Sequence, residues 1–170
     1  YGLATNLEDI WGTEYYSDAS STKEILFARR TASSSSFEGY NFPVGYSSGQ
    51  GGNCPTQDLV DAFECTDGKS IAESSLYDAT NPYANRDPRL NKTVALNGEK
   101  WPNDLADYNS EHPTIETYTG GYHSRTGNAA GKAYATTTGY YLKKFCNANQ
   151  ILRGRSGTAA TTSPHGWLTF

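Results

Sequence analysis

The chain has 170 residues and 18.5 kDa, a length that suits one domain with a core. Leu, Ile, Val and Phe supply only 25 of those residues, but the formal charge of -4 is too small to favour disorder, and 13 Tyr, 6 Phe and 3 Trp restore contact area. An ordered, turn-rich piece built on aromatic rings is expected. That charge, with no basic stripe beyond the pairs Arg29 with Arg30 and Lys143 with Lys144, excludes a nucleic-acid surface, and no apolar run is long enough for a membrane span or a retained signal peptide.

The chain begins at Tyr1 and contains no methionine, so it is expected to be an internal segment of a longer protein. Thr5 with Glu8 three residues on, ahead of Ile10 and Trp11, predicts a short capped helix over 5 to 11. The compact run Lys23 to Arg30 reads as a buried strand ended by Ser33 to Ser36, and the Gly-, Ser- and aromatic-rich stretch from Tyr40 to Asn53 as a long loop. From Pro55 to Cys65, Thr56 offers an N-cap and Leu59, Val60 and Phe63 form a helical stripe. Pro82 and Pro88 keep residues 81 to 89 out of a helix interior. Asn97-Gly98 between Thr93 to Leu96 and Glu99 to Trp101 predicts a hairpin. No period is sustained from Asn103 to Gly131, whereas Thr138 to Phe145 and Gly166 to Phe170 read as strands.

The chemistry of a catalytic site is weakly represented. His112, His123 and His165 are far apart and lack zinc spacing, and each reads as a surface or loop residue; calcium held by loop oxygens stays open in so Asn- and Asp-rich a chain. Gly49-Gln-Gly-Gly52 is not a phosphate loop, and no nucleophile motif is present. Cys54, Cys65 and Cys146 read as reduced, partly buried thiols, with a Cys54 to Cys65 bridge as the alternative. Asp58, Asp61 and Glu64 share helical spacing, which leaves a glycosidase pair as an alternative to plain solvation of the helix. The functional signal is the excess of rings in polar text. Tyr46, Tyr77, Tyr83, Trp101, Tyr108, Tyr118 and Tyr122 lie near Asn, Asp, Arg or Thr, as a sugar's apolar face and hydroxyl fringe require.

Pro55-Thr-Gln-Asp-Leu-Val-Asp-Ala-Phe-Glu64, Asp67-Gly68, Asn81-Pro-Tyr-Ala-Asn-Arg-Asp-Pro-Arg-Leu90, Asn97-Gly98, Gly120-Gly121 and Thr138-Gly-Tyr-Tyr-Leu-Lys-Lys-Phe145, with Lys23-Glu-Ile-Leu-Phe27 upstream, together resemble the SusD/RagB family of nutrient-uptake lipoproteins over roughly residues 7 to 145. The resemblance implies an α+β fold: the irregular, loop-rich lobe inserted in a scaffold of tetratricopeptide-like helix pairs. Residues 1–170 would be one partial domain, truncated at both ends and lacking most of that scaffold. It further implies a non-catalytic protein without cofactor, held by a lipid on the outer face of a Bacteroidota outer membrane. There it would bind a glycan or other nutrient over a SusC-like TonB-dependent transporter. Trp101 and Tyr77 correspond to stretches that bind starch in some members, and Tyr46, Tyr83 and Tyr108 join them as candidate ligand contacts. Asn81, Pro82, Arg86, Asp87, Pro88 and Arg89 are expected to be structural.

Overall fold

A computed structural model of the chain describes residues 2–3, 27–30, 32–46, 49–101, 111–147, 150, 152, 160–162 and 166–169. The regular elements there are short: β1 (Phe27–Arg30), α1 (Ser36–Asn41), α2 (Gln57–Ala62), α3 (Arg89–Thr93), β2 (Val94–Ala95), a 3-10 turn at Lys132–Tyr134, β3 (Tyr141–Leu142) and β4 (Gly166–Thr169). This is the irregular, loop-rich α+β arrangement expected. β1 pairs antiparallel with β4, Phe27 opposite Thr169 and Arg30 opposite Gly166. The strand expected over 23 to 30 is thus present at 27–30; its first residues and the helix expected over 5 to 11 lie outside the described residues.

Thr56 caps α2 as expected, its Oγ1 accepting the Leu59 N–H at 3.2 Å. The helix nevertheless stops at Ala62, three residues short of the expected end. Phe63 is extended, Cys65 bridges to Arg86, and the Asp87 N–H donates to the Glu64 carbonyl at 2.8 Å, so pairing with the 81–89 segment pulls the chain straight. Of the predicted stripe, Val60 is buried and Phe63 partly buried, whereas Leu59 is exposed. Helix α1 was not expected, since Gly39 and Asn41 are poor helix formers, and its last two residues fall in the loop expected from Tyr40 to Asn53. Tertiary contacts hold it: the Asn41 side chain is buried, donates to the Phe37 carbonyl at 2.9 Å and accepts from the Asn53 amide at 2.7 Å.

Asn97-Gly98 forms a tight turn, with Gly98 at φ +85 and the Glu99 N–H donating to the Leu96 carbonyl at 3.2 Å. Its flanks do not pair with each other, which corrects the hairpin. The incoming strand, β2, pairs antiparallel with β3 (Val94 with Leu142, Ala95 with Tyr141), while Lys100 on the outgoing side bridges to Thr114. The reason is burial on both faces. Side chains alternate along a strand, so Ala95 and Tyr141 point into one cluster with Phe42, Val44, Tyr46, Trp101, Ile115, Ala129 and Ala135. Val94, Leu96 and Tyr140 point the other way, into a cluster with Val60 and Leu90. A two-residue ladder therefore separates two small cores, and a local hairpin would have buried neither.

The strand expected over 138 to 145 is cut to two residues because the Lys143 and Lys144 N–H groups both turn onto the Thr93 carbonyl and Phe145 adopts φ +67. Gly51, at φ +55, lies against the Tyr141 ring; a Cβ there would stand 2.7 Å from Cε1, which is why the close approach needs glycine. All three cysteines are free, Cys65 buried.

Candidate functional site

The 81–89 segment is built around one guanidinium. Arg86 is buried and donates from one terminal nitrogen to the carbonyls of Val60 (2.6 Å) and Phe63 (2.7 Å) and from the other to Pro82 (3.0 Å). It thereby caps the C-terminal end of α2, adding to the Phe63 N–H that already donates to the Val60 carbonyl at 3.3 Å. Pro88 takes the position before α3, Asp87 accepts the Arg89 N–H at 2.8 Å and pairs with its guanidinium, and that hydrogen bonding holds the Asp87 carboxyl below the usual carboxylate range. Asn81 donates its N–H to the Asp78 carbonyl and accepts from that of Ala84.

The rings singled out in the sequence do not gather in one place. Trp101 is 3% exposed, set edge-on to Phe42 at 5.0 Å and tilted against Tyr46 at 5.7 Å. Its indole N–H is buried and, among the described residues, has no hydrogen-bond partner. Tyr46 is buried beside it and stacks on His123. Tyr77 and Tyr83 are half-buried on the other side, Tyr77 beneath the Arg86 guanidinium at 5.9 Å and Tyr83 with its hydroxyl 3.4 Å from that of Tyr140. Burial first, then that bond, raises the Tyr83 phenol above its ordinary value. Tyr108 lies outside the described residues. The structure thus brings Tyr46 and Trp101 together and keeps Tyr77 and Tyr83 apart from them.

His123 is no surface residue: it is 1% exposed, and its Nδ1 accepts the Glu116 N–H at 3.1 Å, which leaves the proton on Nε2. Desolvation pushes it down to about 4. His112 stacks on Tyr122 at 3.9 Å and bonds the Glu116 carboxylate at 3.1 Å. Burial raises the Glu116 carboxyl, but the bonds from His112 and the Tyr122 N–H outweigh it and leave it below its ordinary value.

Over this layer lies a polar cavity of about 410 Å³. One wall carries Thr117, Thr119, Ser124, Arg125 and Thr126; the other is the turn with Thr136, Thr137 and Gly139. Tyr118, held between two lining threonines, is 58% exposed. The walls are fastened from behind by one phenol: the buried Tyr141 hydroxyl accepts the Thr136 N–H at 3.3 Å and donates to the His123 carbonyl at 2.7 Å. Each wall is also braced within itself. Thr126 Oγ1 accepts the Gly120 N–H at 2.7 Å and Ser124 Oγ donates to the Gly121 carbonyl at 2.8 Å, while Thr136 Oγ1 accepts the N–H groups of Thr138 and Gly139, both at 3.1 Å. Apart from Tyr118 beside it, sequence reasoning missed this site. Its signal was present as Thr117 to Thr119, Ser124 to Thr126 and Thr136 to Thr138, hydroxyl runs interspersed with glycines in text that shows no sustained period. A second cavity, of about 340 Å³, is lined by Leu59, Ala62, Phe63, Glu64 and Arg89. Among the described residues, no group of three or more His, Cys, Asp or Glu side chains is placed to hold a metal ion.

The profile of the SusD family matches residues 8–163. Among solved structures, the chain is similar to the crystal structure of a SusD-like protein from Bacteroides fragilis NCTC 9343, with a TM-score of 0.66 and 22% identity. That likeness covers 99% of this chain and 34% of the other, so the chain spans about a third of that protein's length; at such identity it carries the fold alone. No curated protein matches.

Proposed function

The chain belongs to the SusD family, and on that premise we propose that it is the lobe of a nutrient-capture protein that binds a glycan or other nutrient without transforming it. The observation that carries this reading is the family match over residues 8–163. We further propose that residues 1–170 are the inserted lobe of a longer chain, lipid-anchored on the outer face of the outer membrane and delivering its ligand to a SusC-like TonB-dependent transporter. The ligand is assigned to the cavity between 117–126 and 136–139, with Trp101 and Tyr46 supporting it through the core they share with Tyr141. Tyr83 reaches the same turn through Tyr140, next to Gly139; Tyr77 and Tyr108 stand as further contacts proposed from the resemblance.

The carboxylates fit a binder better than a glycosidase. Asp61 accepts from the Gln57 amide at 2.8 Å, and Asp58 and Glu64 are exposed on and beyond α2. Calorimetry of the full-length protein against an oligosaccharide panel, with chromatography of the same mixtures after long incubation, tests the reading. Binding without new products is expected. Turnover that disappears in Asp58→Asn or Asp61→Asn would replace it with a glycosidase.

A second reading, docking on the scaffold or transporter, is favoured by the exposed Leu59 and the cavity it shares with Phe63. It requires that Leu59→Asp reduce co-purification with the transporter and leave ligand affinity unchanged; the opposite pattern removes it.

A further inference from the structure

We infer that the cavity between Thr117 and Gly139 is a subsite for an acidic sugar, a residue whose ring bears a carboxylate. The inference rests on the nutrient-capture reading and adds the ligand class. Its volume, about 410 Å³, falls in the usual small-ligand range of roughly 300–1,000 Å³. Among the described residues the lining is almost wholly hydroxyl-bearing, with Arg125 its single charged group and no carboxylate facing it. Among the described residues, nothing hydrogen-bonds or ion-pairs with the Arg125 guanidinium, and the hydroxyls of Thr119 and Thr137 are likewise unengaged. The other hydroxyls are already held: Ser124, Thr126 and Thr136 by backbone groups of their own walls, and Thr117 beside Asn97.

What the cavity leaves open is therefore one planar cationic fork and two hydroxyls that can both donate and accept. A neutral hexose would satisfy the hydroxyls but offer the guanidinium only single, uncharged acceptors. A carboxylate accepts two parallel N–H bonds from an arginine, a geometry that a point-charge lysine cannot reproduce, and the ring hydroxyls of the same sugar match Thr119 and Thr137.

The test is calorimetry of the full-length protein with trisaccharides of galacturonate, glucuronate, mannuronate and guluronate, each beside its carboxyl-reduced neutral counterpart and a sulfated form of that counterpart. At least one uronate should bind tenfold or more tightly than its reduced partner, and the gap should narrow as salt rises. Arg125→Ala should abolish the gap with the unfolding midpoint unchanged, because the side chain is exposed and has no partner to lose; Arg125→Lys should restore only part of it. Equal binding of uronate and reduced forms, a preference for the sulfate ester, or an intact gap in Arg125→Ala overturns the acidic subsite and leaves nutrient capture standing. Binding of no saccharide in any set likewise overturns the acidic subsite, and nutrient capture then falls only if the oligosaccharide panel and a peptide panel also fail to bind.

Discussion

Arg86 joins segments 26 and 23 residues apart through its bonds to Val60 and Phe63, and among the described residues no other side chain reaches those carbonyls. Charge-assisted bonds of this kind contribute roughly 1.5–3 kcal/mol each, and losing the donor strands buried acceptors. Arg86→Ala should therefore destabilise the protein by about 3 kcal/mol in urea titration. Arg86→Lys should recover less than half, since one ammonium cannot span three carbonyls; full recovery would show that charge alone matters. His123 makes a pH prediction. Its folded value, about 4, lies below the ordinary 6.5, so above pH 6.5 neither state binds the proton and stability is complete. As pH falls from 6.5 to 4 only the unfolded chain takes it up, and stability drops by at most about 1.4 kcal/mol per pH unit. The lowered Glu116 carboxyl acts in the same direction, its contribution being lost as pH falls through its folded value. His123→Gln should flatten the slope between pH 6.5 and 4; an unchanged slope would place the titrating group elsewhere.

Among the elements, β2 and β3 matter beyond their four residues, because the strand alternation sends neighbours into different cores. Tyr141 occupies the pivotal position: its ring fills the first core while its hydroxyl ties Thr136 to His123. Burial pushes that phenol up to about 12, so it stays protonated and donating throughout the physiological range. Tyr141→Phe should keep the fold, lose about 1–2 kcal/mol and speed hydrogen exchange at the Thr136 amide more than at amides of α2. Uniform acceleration at both would mean that the phenol supports the whole fold and not the cavity wall in particular.

At the scale of the molecule, two cores sharing one ladder should unfold together. Trp101→Ala, which removes a buried ring from the first core, should cost about 3–5 kcal/mol and lower the protection of Leu90 and Leu96 amides in the second core in step. Retained protection there would show two independent units. The same variant also separates the two roles of the ring. A stable Trp101→Ala protein with weakened glycan affinity would move Trp101 from support to ligand contact.

Locally encoded features were legible in the chain itself. Thr56 as a cap, the Asn97-Gly98 turn and the proline-restricted 81–89 segment depend on side chains within a few residues, and each is present where it was expected. The ordered strings that span these features also carried the family, confirmed by the match over residues 8–163. Partnering was not legible. The strand β2 turns from its neighbour across Asn97-Gly98 to a segment 47 positions on, because only that choice buries Val94 and Ala95 on opposite sides. The cavity has the same origin. Its threonines stand in polar text without a sustained period, and they become two facing walls only when the Tyr141 hydroxyl, buried with the first core, holds Thr136 and the His123 carbonyl together. Periodicity and capping act along the chain over one or two turns, whereas a site between distant loops exists only once burial has chosen which faces meet.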